Sequence, residues 1–249
     1  MKVVISGICG KMGRILLSCA KENPNIEVIA GVDKVGSDET SLGIKVFPSF
    51  SLYNFIKPDV IIDFSSRGAL VDILNFATNN LVPTVLATTG YNSDDLTLIE
   101  KASRHIPIFK SGNMSSGVAA LINLVKRACS LVGDVSDIEI IETHHNQKTD
   151  SPSGTALMIA GAVKSSIPNR FLNVGRDESS GKRDSNEIGM HSIRGGSVVG
   201  KHEIMFLMNN EVITIKHEAE SKTVFAYGSI KAASFLIGRN PGLYSLLDM

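Results

Sequence analysis

V-V-I-S-G-I-C-G-K-M-G, residues 3 to 13, decides the fold class of this chain. The run Val3 to Ser6 is short, apolar and rich in β-branched residues, so it predicts a buried first strand. The glycines that follow match the pattern G-x-x-G-x-x-G, and a helical pattern from Met12 to Lys21 comes next. A strand, a glycine loop and a helix in this order are typical of a dinucleotide-binding fold, because the glycines let the backbone approach a pyrophosphate at the helix start.

The first half of the chain repeats this alternation. Four more short apolar runs predict strands, at Val28 to Val32, Val60 to Phe64, Val82 to Ala87 and Ile106 to Phe109. Two more amphipathic stretches predict helices, at Ala69 to Asn79 and Ser93 to Ser103. Regular alternation of strands and helices predicts an α/β fold with a Rossmann-like, doubly wound parallel sheet.

From about Asn113 the pattern changes. The sequence predicts a long apolar helix at Val118 to Leu131, a strand at Ile138 to Glu142 and a mobile polar loop at Asn173 to Asn186. Three long strands are predicted next, at Gly189 to Arg194, Val198 to Met208 and Glu211 to Glu218. The last predicted element is a helix at Val224 to Leu236. Two asparagines at 209 and 210 suit a hairpin turn between the last two strands. We therefore expect a second, α+β domain with a mixed sheet.

The composition narrows the class of partner. The 249 residues contain 25 Lys and Arg against 25 Asp and Glu, so the overall charge does not favour a nucleic acid or an anionic membrane. Apolar residues make up 43%, without a run long enough to cross a bilayer. Three cysteines without C-x-x-C spacing fit a reducing compartment. We expect a cytoplasmic protein that binds small molecules and copies of itself.

The glycine loop is the first candidate cofactor site. It comprises Gly7, Ile8, Cys9, Gly10, Lys11 and Met12. Asp33 ends the second predicted strand, where a carboxylate accepts hydrogen bonds from the adenosine ribose, and the charge of Lys34 could accommodate a 2′-phosphate. The pair leaves NADH and NADPH both open. The alternative is that the glycines only turn the chain.

Two further segments follow later predicted strands, where doubly wound sheets bind ligands. They are Ala87-Thr88-Thr89-Gly90 and Ser111-Gly112-Asn113-Met114-Ser115. Their hydroxyls, amides and backbone suit a nicotinamide ribose and carboxamide. Ordinary turn chemistry is the alternative.

The segment from Glu142 to Ala156, E-T-H-H-N-Q-K-T-D-S-P-S-G-T-A, combines His144, His145 and Lys148. Imidazole titrates near neutral pH and a lysine ammonium can donate a proton or neutralise a carboxylate, so these residues suit acid–base work on an anionic substrate. Metal binding by the histidine pair, a purely structural pair, and Schiff-base chemistry at the lysine are less favoured alternatives. We predict no metal site.

A helix start follows these residues. Ser151 suits the N-cap and Pro152 the first turn, which would leave backbone N–H groups unpaired around Ser153, Gly154 and Thr155. A substrate carboxylate would bind well there.

These motifs together resemble the 4-hydroxy-tetrahydrodipicolinate reductase family, also called dihydrodipicolinate reductases. The resemblance covers essentially the whole chain, and its further motifs are D-F-S at 63 to 65, T-T-G at 88 to 90, S-G-N-M-S at 111 to 115, E-I-G-M-H at 187 to 191, R-G-G at 194 to 196, V-G-K-H at 199 to 202 and P-G-L-Y at 241 to 244. It implies reduction of the cyclic substrate by hydride from NAD(P)H at ring carbon 4, with loss of water, in the diaminopimelate route to lysine. A dicarboxylate substrate is thereby implied.

The resemblance also implies residue roles. His144 would be the proton donor and acceptor, Lys148 a proton donor, and His145 a substrate contact. Gly154 and Thr155 would hold a substrate carboxylate. The cofactor would contact Gly7 to Met12, Asp33, Ala87 to Thr89 and Ser111 to Met114.

The family architecture implies a nucleotide domain of residues 1–112 with 222–249, a substrate and oligomerisation domain of residues 113–221, and a homotetramer. Four residues depart from common family patterns: Ala87, Ser197, Lys201 and Lys222. None of them belongs to the proposed acid–base pair. A nucleotide sensor without turnover, or another dehydrogenase of this fold, is disfavoured by the intact central motif.

Overall fold

The structure is a computed structural model that describes residues 1–35 and 43–249. It divides into two units, Met1–Ser115 with Lys222–Met249, and Ser116–Ser221. In chain order the helices and strands are β1 Lys2–Ser6, α1 Lys11–Lys21, β2 Glu27–Val32, β3 Val46–Phe47, β4 Val60–Asp63, α2 Leu70–Asn80, β5 Thr84–Leu86, α3 Ser93–Ser103, β6 Pro107–Lys110, α4 Ser116–Val132, β7 Asp137–His144, α5 Gly154–Ser166, β8 Phe171–Val174, β9 Glu187–Arg194, β10 Gly200–Met208, β11 Glu211–Ala219, α6 Thr223–Leu236 and β12 Gly242–Tyr244.

The first unit contains a seven-stranded sheet in the order β12-β6-β5-β4-β1-β2-β3. Every neighbouring pair is parallel. Its central strands are almost wholly buried, as expected where helices cover both faces of a parallel sheet. The predicted Rossmann-like doubly wound sheet is confirmed, and its chain order reverses between β1 and β4, the place where such sheets bind ligands.

Local sequence signals set the helix ends in this unit. Helix α3 begins with a capping box, in which the Asn92 side chain accepts the Asp95 N–H and the Asp95 carboxylate accepts the Asn92 N–H. Its predicted bounds, Ser93 to Ser103, are confirmed. Helix α1 instead has Gly10 as its N-cap, which offers no capping side chain and leaves the helix start open toward the glycine loop.

The second unit contains a mixed five-stranded sheet in the order β11-β10-β7-β9-β8. Strand β10 is antiparallel to β7 and β11, whereas β9 is parallel to β7 and β8. Helices α4 and α5 bury their apolar sides against one face of this sheet. Strand β7 alternates strictly, so Ile138 and Ile140 enter that core while Glu142 and His144 follow on the same face.

Several elements differ from expectation. Strands β3 and β12 have two and three residues, which is too short for a period in the sequence to show. The polar stretch from Asn173 to Asn186 begins inside β8, and the loop beyond is fastened by arginines. Arg176 binds Glu187 and the Gly181 carbonyl, each at 2.6 Å. Among the described residues, no helix combines the length and apolar composition needed to span a bilayer.

Candidate active site

The end of β7 carries a buried carboxylate and imidazole pair. Glu142 is fully buried and His144 is 8% exposed. The two side chains share a face because they are two residues apart on one strand, and Nδ1 of His144 hydrogen-bonds Oε2 of Glu142. This contact favours the tautomer with a proton on Nδ1, which leaves Nε2 to exchange protons with a ligand.

Arg194 holds this carboxylate from the neighbouring strand. It stands opposite His144 in the parallel β7 and β9 pair, and its guanidinium binds both Glu142 oxygens at 2.9 and 2.7 Å. The same guanidinium donates to the Asp150 carbonyl at 2.7 Å. Such a bidentate pair fixes the orientation of the carboxylate. One guanidinium thereby holds both the Glu142 carboxylate on β7 and the loop that follows β7.

The electrostatics of the site follow from these contacts. Burial alone would raise the pKa of Glu142, but hydrogen bonds from Arg194 and His144 outweigh it and lower that pKa to about 2. Burial lowers the pKa of His144, helped by the positive charges of Lys148 and Arg194, against the opposing effect of Glu142. The imidazole is therefore mainly neutral in the free protein at neutral pH.

Lys148 follows His144 by four residues and adds a positive charge that acts on its imidazole. Its Nζ lies 2.8 Å from Oδ1 of Asp150, and its side chain is 21% exposed. An ammonium in a contact this accessible can exchange its partner for an anionic ligand at little cost.

Helix α5 begins two residues later than predicted. The helix starts at Gly154, and Ser153 is its N-cap, with Oγ accepting the Ala156 N–H at 3.1 Å. The predictions of Ser151 as the cap and Pro152 in the first turn are wrong. Unpaired N–H groups were expected around Ser153, Gly154 and Thr155, but the N–H of Ser153 donates to Glu142 Oε1 at 3.1 Å.

Gly154 leaves space at this helix start. It is exposed, and a Cβ added there would meet nothing within 4 Å. Its N–H is among the first in the helix, which have no intrahelical partner. A carboxylate has room to approach this helix start, and Thr155 beside it is 8% exposed.

His145 lies just beyond the strand end. It is half-buried, and its Nδ1 is buried without a hydrogen-bond partner among the described residues. The site in this unit thus joins two imidazoles, one ammonium and a helix start, and can accept and donate protons beside an anion.

The cofactor candidates of the first unit lie at the carboxyl end of the parallel sheet. Gly7 has φ +76°, and a Cβ there would lie 2.7 Å from the Phe64 carbonyl oxygen, so only glycine fits. A Cβ on Gly13 would lie 2.1 Å from the Gly7 oxygen. These close approaches bring the loop directly onto the start of α1, as a pyrophosphate site requires.

Asp33 and Lys34 border a cavity of about 410 Å³ beside this loop. The Asp33 carboxylate accepts the N–H groups of Cys9 and Val35 at 3.0 and 3.2 Å, which fastens it against the loop. The cavity also has Phe64 and Ser65 in its lining, two residues that sequence reasoning did not single out as cofactor contacts. Both residues belong to the D-F-S motif and directly follow β4. A position just after a strand of a parallel sheet was the sequence signal that could have identified them.

The other cofactor candidates follow β5 and β6. The Ala87 N–H donates to the Asp63 carbonyl at 3.0 Å, and Thr88 and Thr89 come next in the chain. After β6, Asn113 Oδ1 accepts the Ser115 N–H at 2.8 Å, while Met114 is buried. Strands β4, β5 and β6 are parallel neighbours, so these segments lie at the same carboxyl end of the sheet as the glycine loop.

Sequence reasoning gave no role to Glu142, Arg194 or His202. The first was detectable, because a carboxylate two residues before a histidine shares its face in a strand. Arg194 and His202 reach the site through the pairing of β7 with β9 and β10, which the sequence does not reveal. In the described part of the chain, no group of three or more potential ligands is arranged to hold a metal ion.

Two family models match the chain. Residues 1–114 match "Dihydrodipicolinate reductase, N-terminus", and residues 117–249 match "Dihydrodipicolinate reductase, C-terminus". A protein of Caldanaerobacter subterraneus subsp. tengcongensis, named 4-hydroxy-tetrahydrodipicolinate reductase, is 46% identical across 100% of this chain and 98% of its own. A protein of Clostridium tetani with the same name is 43% identical across 99% of this chain and 95% of its own.

Solved structures show the same fold. A dipicolinate-bound dihydrodipicolinate reductase from Paenisporosarcina sp. TG-14 has a TM-score of 0.81 at 24% identity, covering 100% of this chain and 98% of its own. A scyllo-inositol dehydrogenase from Lactobacillus casei with bound NAD(H) has a TM-score of 0.61 at 14% identity, covering 95% and 88%. At these identities the likeness concerns the fold.

Proposed function

The chain belongs to the dihydrodipicolinate reductase family, and from that membership we propose how its residues divide the family reaction among themselves. The activity is the NAD(P)H-dependent reduction of 4-hydroxy-tetrahydrodipicolinate to tetrahydrodipicolinate in the diaminopimelate route of lysine biosynthesis. Substrate, NAD(P)H and one proton give product, NAD(P)⁺ and water. The bound cofactor supplies the hydride to ring carbon 4, and the residues bind, orient and move protons.

His144 is the proton donor and acceptor. The support is that Glu142 holds Nδ1 and thereby presents Nε2 as the exchanging atom. Loss of the 4-hydroxyl as water requires a proton at that oxygen, and a charged imidazole can provide it. A dicarboxylate beside His144 favours the protonated ring, because an opposite charge raises its pKa.

Lys148 is the second proton donor. Its ammonium contacts Asp150 at 2.8 Å, and a substrate carboxylate would compete for the same charge. Asp150 therefore keeps the ammonium near the strand end until the dicarboxylate arrives. This exchange costs little because the Asp150 side chain is more than half exposed.

The start of α5 holds one substrate carboxylate. The support is the open space beside Gly154, whose N–H has no partner within the helix, and the partial positive charge at the helix N-terminus. Thr155 completes this seat, and His145 contacts the substrate from the end of β7. The single observation that carries the assignment is that Glu142 binds both His144 and the N–H of Ser153, so one carboxylate positions the acid–base group and the anion seat.

NAD(P)H is the cofactor of the family, and the first unit provides its contacts. Gly7 to Met12 cradles the pyrophosphate, Asp33 binds the adenosine ribose and Lys34 faces a 2′-phosphate when one is present. Ala87 to Thr89 and Ser111 to Met114 contact the nicotinamide half. The dinucleotide domain consists of residues 1–112 with 222–249, and the substrate domain of residues 113–221.

The protein is a cytoplasmic homotetramer built through the sheet of the second unit. Helices α4 and α5 cover one face of that sheet, and its other face presents Ile141, Ile193, Met205 and Leu207, with Ile193 50% exposed. Exposed apolar side chains on a sheet face that no helix of the unit covers favour an interaction surface. Native mass spectrometry should give a tetramer, and Ile193→Arg should give smaller species while the control Val71→Arg does not. A monomeric wild type would refute the assembly.

The activity is tested by mixing the purified chain with freshly synthesised 4-hydroxy-tetrahydrodipicolinate and either NADH or NADPH. Absorbance in the nicotinamide band should fall only when substrate and protein are both present. Tetrahydrodipicolinate should form in equal amount to the cofactor oxidised. Absence of oxidation with both cofactors would refute the activity.

A further inference from the structure

His202 is a buried imidazole beside the proposed active site that the reaction scheme does not use. It lies on β10 directly opposite Glu142 and is 3% exposed. Its ring meets that of His144 edge-on, with centroids 5.2 Å apart and an interplanar angle of 75°. Its Nε2 lies 3.2 Å from Oγ of Ser153, the N-cap of α5.

The hydrogen bonds around His202 indicate its tautomer. Its Nδ1 is buried and has no hydrogen-bond partner in the described part of the chain. A proton on Nδ1 would therefore be a buried donor without an acceptor, which folded proteins avoid more strongly than an underused acceptor. The proton belongs on Nε2, so His202 donates to Ser153 Oγ.

That donation determines what the Ser153 hydroxyl can do. A hydroxyl oxygen accepts two hydrogen bonds and donates one. The Ala156 N–H and the His202 Nε2–H occupy both acceptor positions. The hydroxyl proton is then directed away from both donors. Because Ser153 is 1% exposed, it can meet only a ligand group seated directly at the start of α5.

The surroundings keep His202 neutral, as this arrangement requires. Burial lowers its pKa to about 4, and His144 and His217, when they are protonated, and the charge of Lys148 act in the same direction against Glu142. The two rings also lie close to Gly200, which has no side chain. A Cβ on that residue would lie 3.1 Å from His144 Nε2 and 3.8 Å from His202 Cε1, so glycine gives the rings their room.

We propose that His202 is a positioning residue, which fixes the Ser153 hydroxyl as a hydrogen-bond donor to the substrate carboxylate at the start of α5. The proposal rests on the carboxylate seat described under the proposed function. It gives His202 no part in proton transfer. Loss of His202 therefore weakens binding of the dicarboxylate and leaves cofactor binding unchanged.

The test measures the dissociation constant of dipicolinate for the wild type, His202→Phe, His202→Gln, Ser153→Ala and the double variant His202→Phe with Ser153→Ala. Phenylalanine keeps the ring volume without the donor, whereas the glutamine amide can replace the Nε2–H. We expect roughly tenfold weaker binding in His202→Phe, recovery in His202→Gln, and no further loss in the double variant relative to Ser153→Ala. His105→Phe, at an exposed histidine of the first unit, is the control, and NADH affinity and thermal unfolding are measured for each protein.

Unchanged dipicolinate affinity in folded His202→Phe would overturn the proposal, as would losses that multiply in the double variant. If His202→Phe fails to fold, the proposal depends on His202→Gln, and tenfold weaker binding in that variant would overturn it. A wild type that does not bind dipicolinate would refute the carboxylate seat itself. That outcome is distinguishable, because it appears before any substitution is made.

Discussion

His144 is held at Nδ1 by the buried carboxylate of Glu142, which Arg194 binds in turn. Glu142 and Arg194 form a hydrogen-bonded set around Nδ1, and the pKa of the ring lies below its ordinary value of 6.5 because of burial. A bound dicarboxylate adds negative charge and raises this pKa. Binding of the dicarboxylate should therefore take up a proton.

The first prediction concerns this proton uptake. As the pH falls toward and through the ordinary histidine range, dipicolinate should bind more tightly, by up to about tenfold per pH unit between the free and bound pKa values of His144. Calorimetry in buffers of different ionisation enthalpy measures the uptake directly. His144→Gln should flatten the dependence, and an unchanged pH profile in that variant would place the proton elsewhere.

Glu142→Gln is the second prediction. The substitution leaves Arg194 without its charged partner, removes the negative charge that stabilises the His144 imidazolium, and puts a donor in place of one of the two carboxylate acceptors, so kcat should fall on the order of 100-fold. Unfolding free energy should fall by about 1 to 3 kcal/mol. Stopped-flow turnover and denaturant unfolding measure the two effects, and Glu218→Gln on the exposed β11 is the control. Normal turnover in the variant would show that His144 needs no such support.

Lys34→Ala is the third prediction. Removal of this exposed ammonium should weaken NADPH binding about tenfold and leave NADH binding unchanged, because only NADPH carries the 2′-phosphate. Nicotinamide fluorescence titrations measure both constants. Lys57→Ala, an exposed lysine just before β4, should change neither. Equal losses for NADH and NADPH would mean that Lys34 does not face the phosphate.

At this scale the sequence predicted His144 and Lys148 but not their supporting residues. Their types and spacing are local and chemically distinctive. Arg194 comes 50 residues after His144 in the chain and reaches it through the parallel pairing of two strands. The register of that pairing depends on the whole sheet, and no short stretch of sequence contains it.

At the scale of elements, the start of α5, where we propose that a carboxylate binds, contacts the end of β7 through Glu142. The sequence predicted a helix start near Ser153 but placed the cap at Ser151, since both serines are good N-caps. The structure selects Ser153 because its N–H binds Glu142 and its Oγ meets His202. Contacts with residues distant in the chain thus decide which of the two serines is the N-cap.

Gly154→Ala is the fourth prediction. The added methyl group meets nothing within the chain and replaces glycine in a helix, so stability should stay the same or rise by up to about 1 kcal/mol. It occupies the space proposed for the carboxylate, so dipicolinate should bind roughly tenfold or more weakly. Gly161→Ala in the same helix also meets nothing and is the matched control. Unchanged dipicolinate affinity in Gly154→Ala would place the carboxylate elsewhere.

Short and edge strands show where element prediction from sequence fails. The five strands from β1 to β6 other than β3 were predicted because buried parallel strands are apolar runs. Strands β3 and β12 contain two and three residues at the sheet edges. They are strands because they pair with β2 and β6, respectively, and their own two or three residues are too few to show a strand pattern in the sequence.

At the scale of the whole molecule, the candidate cofactor residues and the candidate acid–base residues belong to different units. The glycine loop and the cavity beside Asp33 lie in the first unit, whereas His144, Lys148 and the start of α5 lie in the second. The sequence predicted this division from the change of pattern near Asn113. The return of the last helix to the first unit followed only from the family resemblance, because its apolar composition suits either unit.

The fifth prediction tests the central claim, that His144 and Lys148 transfer protons and do not hold the cofactor. The measurement is kcat for 4-hydroxy-tetrahydrodipicolinate together with the dissociation constant of NADH, in the wild type, His144→Ala, Lys148→Ala and the control Lys164→Ala. We predict that kcat falls at least about 100-fold in each of the two site variants while NADH affinity is unchanged. Retained turnover in either variant, or a loss of NADH affinity that accounts for the lower rate, would contradict the account.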